Sequence, residues 1–105
     1  DRPRSLRILS RAAAPQELGL ERDPRVLGVA LRRVVARQGT RFCTMEAADI
    51  APSPGFHPFE AEGGIRWTDG DATVPSALFA TMRGGFEVVI DVAFAAWYPD
   101  DRVAA

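Results

Sequence analysis

The sequence contains no lysine and no asparagine, one cysteine, Cys43, and one histidine, His57. The missing lysine excludes a Schiff-base mechanism and a Walker-type phosphate loop. A single cysteine excludes an internal disulfide and a thiolate zinc cluster. Cys43 and His57 could formally make a dyad, but no third residue of obvious kind would orient it. Charge of one sign is also lacking: 13 basic side chains stand against 14 acidic ones, a formal net charge of -1. That balance removes the field needed for strong non-specific nucleic-acid binding, so no nucleic-acid partner is expected. No apolar run approaches the roughly 20 residues of a membrane-spanning helix, and none is expected. No stretch reads as a signal peptide, which leaves the compartment open.

What is present is 105 residues, 47% of them hydrophobic, a size and composition that fit one globular domain. Every basic residue other than His57 is arginine, and alanine is abundant. That bias points to a GC-rich coding sequence, so each arginine is not read as chosen for its chemistry. The chain opens on Asp1 rather than Met. The expectation is a single domain over 1–105, excised from a longer protein.

The hydrophobic pattern is mostly of period two. Leu6 and Ile8 face away from Arg7, a short strand over Ser5–Ser10. Residues 11–24 read as a long connection, with a helical turn possible for Pro15 to Leu18. Val26 to Arg37 is ambiguous. Asp23-Pro24 is a good helix start, Gly39 a plausible stop, and Leu27, Ala30, Leu31, Val34 and Val35 fall on helical spacing. Against this, Gly28 lies inside and four valines favour a strand. A strand here would pair with Arg41–Glu46 across a turn at Gln38-Gly39.

Asp69-Gly70 between two β-type runs is the preferred two-residue type I′ hairpin turn. It predicts Thr68 opposite Asp71, Trp67 opposite Ala72, Arg66 opposite Thr73 and Ile65 opposite Val74. Ile65, Trp67, Ala72 and Val74 would then share an apolar face, with Arg66, Thr68, Asp71 and Thr73 on the polar one. Pro75–Arg83 has room for a short helix with Leu78, Phe79 and Met82 on one side, closed by Gly84-Gly85. Phe86, Val88, Ile90, Val92 and Phe94 alternate as one strand face. Short strands, Gly/Pro turns and no βαβ rhythm predict an all-β fold, a small antiparallel, jelly-roll-like β-sandwich. In that context 24–37 supplies a core strand; the alternative is α+β with a helix there.

Gly55-Phe56-His57-Pro58-Phe59-Glu60, followed by Arg66-Trp67-Thr68-Asp69-Gly70-Asp71-Ala72, resembles a β-sandwich module of alphaproteobacteria. Segments like Ser10-Arg11 and Leu27–Arg33 recur in that family. Such modules sit beside Hint (hedgehog/intein-like) domains and sugar-acting enzymes, including glycosyltransferases. The resemblance implies an accessory module and brings no catalytic residues. Nothing in the chain matches the nucleophile block of a Hint domain.

Several residues could carry chemistry, each beside a plainer reading. His57 and Glu60, spaced H-x-x-E, point to opposite faces of an extended segment, and Pro58 opposes the helix that would unite them. One histidine with carboxylates is a poor zinc site, and no metal or cofactor is expected. Glu60, Glu62, Asp69 and Asp71 cluster near the hairpin, but turn chemistry and solvation explain them. Arg32, Arg33, Arg37 and Arg41 could bind phosphate; pairing with surface carboxylates is the plainer role. Cys43 reads as a small buried apolar residue. Trp67 reads as a core anchor. Trp97 and Tyr98, at a strand end, are the better platforms for a sugar ring.

These readings lead to a noncatalytic accessory module that recognises carbohydrate or the cell envelope. The expected ligand-binding residues are Trp97, Tyr98, His57, Arg66 and Asp71. One alternative is a structural domain that packs on a neighbouring domain of the same protein. The other is a small hydrolase using His57 with Glu60 or Asp71, which requires those side chains to converge.

Overall fold

A computed structural model describes residues 5–14, 25–50 and 53–95. Trp97 and Tyr98, the turn at 15–18 and the connection's end at Asp23-Pro24 lie outside them. The described residues form an antiparallel all-β fold. The strands are β1 (Arg7–Leu9), β2 (Val29–Gln38), β3 (Arg41–Glu46), β4 (Arg66–Trp67), β5 (Asp71–Thr73) and β6 (Glu87–Ala95). Two 3-10 turns, Ala47–Asp49 and Ser76–Leu78, are the only helical pieces among the described residues.

The ten-residue β2 organises the molecule. It pairs with β6 along one side, and with β3 and then β4 along the other. The second sheet is β1 paired with β5. The sheets meet across one core: Ile8 and Ala72 from the small sheet, Leu31, Val34 and Ala36 from β2. Val74, Leu78, Phe79 and Met82 pack into the same cluster. The expected grouping of Leu78, Phe79 and Met82 thus holds, although the helix is a single 3-10 turn.

The helical alternative for 24–37 is overturned: Val29–Gln38 is strand. The helix-like spacing there is a strand pattern broken by a bulge. Leu31 pairs with Val92 and Arg33 with Asp91, so Arg32 is an extra residue on β2. One extra residue inverts the side-chain alternation. Leu31 before it and Val34 and Ala36 after it therefore all reach the core. Ala93 is a compensating extra residue on β6, since Ala30 pairs with Phe94. It corrects the expected unbroken face from Phe86 to Phe94. Phe86, Val88 and Ile90 pack on the core, while Val92 and Phe94 are exposed.

The β2–β3 hairpin closes one residue later than expected. Gln38 pairs with Arg41, leaving Gly39-Thr40 as the loop. Gly39 has φ 59 and Thr40 is not left-handed, the pattern of a type II′ turn.

The hairpin expected at Asp69-Gly70 does not form. A type I′ turn needs positive φ at both central residues, and only Gly70, at φ 105, has it. Asp69 instead bends the chain through its own carboxylate, whose Oδ1 accepts the Asp71 N–H at 3.0 Å. The bend carries the chain from one sheet to the other, β4 pairing with β2 and β5 with β1. The actual partner of 65–68 is the signature stretch before it. Phe56 bridges Thr68 and Glu60 bridges Ile65, around the turn 61–64. The predicted faces change accordingly. Thr68 is fully buried and Trp67 is only half-buried.

Candidate functional site

His57 is held at both ends. Its N–H donates to the Trp67 carbonyl at 2.8 Å, and its ring Nε2 lies 2.8 Å from the Val26 carbonyl oxygen. The ring nitrogen donates to that oxygen, which fixes the proton on Nε2. Next along the chain, Arg25 pairs with Glu60 at 2.9 Å. His57 and Glu60 thus tie the 56–60 segment to the entry of β2, through different atoms and different partners.

Arg66 is also a structural clamp. Its Nε donates to the Ala47 carbonyl at 2.9 Å and its Nη1 to the His57 carbonyl at 3.1 Å. Its guanidinium lies 5.9 Å from the Phe59 ring centroid. Asp71 sits on the small sheet and pairs with Arg7 at 3.4 Å, both side chains more than half exposed. Of the five residues expected to bind a ligand, His57 and Arg66 are adjacent and engaged with backbone. Asp71 faces Arg7, and Trp97 and Tyr98 fall outside the described residues. Among the described residues, no cluster of three or more His, Cys, Asp or Glu could hold a metal ion.

The more suggestive surface is the outer face of the sheet, turned away from the core. Residues opposite one another in register share a face, which sets out four rows across the strands. Phe42, Arg37 and Glu87 form the first. Thr44, Val35 and Val89 form the second, and Glu46, Arg33 and Asp91 the third. Trp67, Ala30 and Phe94 form the fourth.

The arginines of this face are paired. Arg37 bonds Glu87, its Nε at 2.9 Å. Arg33 lies between Asp91 and Glu46, the latter at 3.2 Å, and Arg32 reaches Asp91 at 3.2 Å. The plainer reading of this basic cluster is thus the one the geometry bears out for Arg32, Arg33 and Arg37. Arg41 instead donates to the Thr81 carbonyl at 3.2 Å.

In the fourth row, Trp67 and Phe94 flank Ala30 from its two neighbouring strands. Strands two apart are separated by about 9.5 Å. The ring centroids are only 6.5 Å apart, with an 18° angle between planes. Both rings therefore lean over Ala30, whose methyl group leaves room and is itself fully covered. Phe94 remains 57% exposed and Phe42, at the opposite end of the face, 62%. Sequence patterning missed this pair because the extra residue at Ala93 turns Phe94 outward. The register signal that would reveal it is tertiary.

Comparisons of the chain with protein-family models, with curated proteins and with solved structures found no match.

Proposed function

We propose that this chain is a noncatalytic accessory module of a larger bacterial protein, and that it works by recognising carbohydrate or cell-envelope glycan. The observation that carries this reading is the Trp67–Phe94 pair on the open sheet face, beside guanidinium and carboxylate groups. Sugar rings present flat C–H surfaces that stack on aromatic rings, while their hydroxyls bond charged and polar groups. The resemblance of the Gly55–Glu60 and Arg66–Ala72 stretches to modules found beside sugar-acting enzymes supports the same reading. Trp97 and Tyr98 follow β6 closely in sequence and belong to the proposal. A glycan array probed with the isolated chain tests it. Saturable binding to a defined glycan class supports the proposal, and an array without hits overturns it.

A second reading has its own observation. The nine-residue β6 pairs with β2 along one side and exposes Val89, Val92 and Phe94. A long apolar edge strand is a template for another chain. Size-exclusion chromatography with light scattering distinguishes this reading: a self-associating chain favours it, and a monomer across a wide concentration range counts against self-pairing. The hydrolase reading is not carried forward, because His57, Glu60 and Asp71 are each engaged with a separate structural partner.

A further inference from the structure

We infer that the ligand surface is the outer face of the β3–β2–β6 sheet together with Trp67 of β4, and that it takes a neutral, extended polysaccharide chain. This inference rests on the carbohydrate reading above and specifies its site and ligand class. Three observations carry it.

The first is the placing of the aromatics. Phe42 stands at one end of the face and the Trp67–Phe94 pair at the other. From the Arg37 row to the Ala30 row the strand runs about 20 Å. That length fits several sugar units in line rather than a single ring. The second is the charge of the ground between them. Arg32, Arg33 and Arg37 are matched by Glu46, Glu87 and Asp91, so the ladder sums to zero. A face without net charge offers no attraction to a polyanion. It does offer a dense row of donors and acceptors already held in place by their pairing, and the Thr44 hydroxyl adds to them. The third is shape. Val35 and Val89 form an apolar row between the two ion-paired rows, and the Trp67 and Phe94 rings cover Ala30 beyond them, so a ribbon-like chain can pass along the face without a pocket.

The test is affinity gel electrophoresis of the chain in soluble β-glucan, xylan and mannan, with polygalacturonate and heparin as charged probes. Retardation by at least one neutral polymer is expected, unchanged between low and high salt because no ion pairing with the ligand is involved. Phe94→Ala and Phe42→Ala should each weaken it about tenfold or more. Both rings are largely exposed, so neither change should unfold the chain, and thermal midpoints by circular dichroism verify this. Leu9→Ala, an exposed apolar change off this face, should bind as wild type. If neutral polymers bind but both Phe variants match wild type, the face is wrong while carbohydrate recognition stands. Retardation by the acidic polymers alone, lost at high salt, overturns the neutral-chain assignment. Retardation by no polymer overturns the inference and the reading beneath it. A dimer that Phe94→Ala converts to monomer assigns the face to a second copy instead.

Discussion

Thr68 shows how much one hydroxyl can hold in place. It is fully buried, and its Oγ1 accepts the Val29 N–H at 3.2 Å while lying 3.4 Å from the Gly70 nitrogen. Its backbone exchanges bonds with Gly28 and Val29 at 2.8 Å each. Thr68→Val keeps the volume but removes the acceptor. A loss of about 1 to 3 kcal/mol is expected, read from the urea midpoint. Two glycines, one near this point and one in the β2–β3 turn, are ranked by what a methyl group would meet. A Cβ on Gly55 would lie 2.1 Å from the Asp71 carbonyl oxygen, at φ +90, and backbone cannot step aside. On Gly39, at φ +59, it would meet nothing within 4 Å. Gly55→Ala should therefore cost about 3 kcal/mol or more and Gly39→Ala about 1 kcal/mol. Equal unfolding midpoints for the two variants would refute the close packing of Gly55 on β5.

At the scale of elements, residues of the same type play different parts. Arg33 spans β2, β3 and β6 through carboxylates on the solvent face. Removing it should cost no more than about 1 kcal/mol, and less still at high salt. Arg66 instead joins β4 to the first 3-10 turn and to the 56–60 segment through backbone carbonyls. Arg66→Ala should cost about 2 to 3 kcal/mol with little salt dependence, since it orphans two carbonyl oxygens. Thermal melts of both variants at two salt concentrations check the contrast. Gln38 makes a similar join. Its amide donates to the Arg83 and Gly85 carbonyls, and its Oε1 accepts the Arg83 N–H at 3.3 Å. The end of β2 is thereby fastened to the loop that feeds β6. That long-range role is invisible in the turn chemistry of Gln38-Gly39.

For the whole molecule, the narrow core makes its central side chains decisive. Leu31 and Leu78 are fully buried in the cluster that both sheets share. Leu31→Ala should cost about 2 to 5 kcal/mol. Small domains are stabilised by about 5 to 15 kcal/mol in total, so this change removes a large part of the whole. It should lower the thermal midpoint sharply while leaving a single cooperative transition, followed by far-UV circular dichroism. Two separate transitions would mean that the sheets do not share one core.

Much of the fold was legible in the chain itself. Period-two alternation in Leu6–Ile8 and over Phe86–Ile90, with Gly and Pro punctuation, suffices for an all-β reading, because side-chain direction in a strand is a local property. Gly39 marked the end of β2, and Gly84-Gly85 the loop that leads into β6. The pairing of strands was not local. Asp69-Gly70 looks like a complete hairpin turn, yet its neighbours gain more by pairing with β2 and β1 than with each other. The bulges at Arg32 and Ala93 are set by how β2 and β6 register together, and they decide which face carries Phe94. The candidate site was legible least. His57 and Arg66 stood out as rare or charged residues in a motif, and packing engaged both with backbone carbonyls. The aromatic pair over Ala30 joins residues 30, 67 and 94, which only the tertiary pairing of three strands brings into one row.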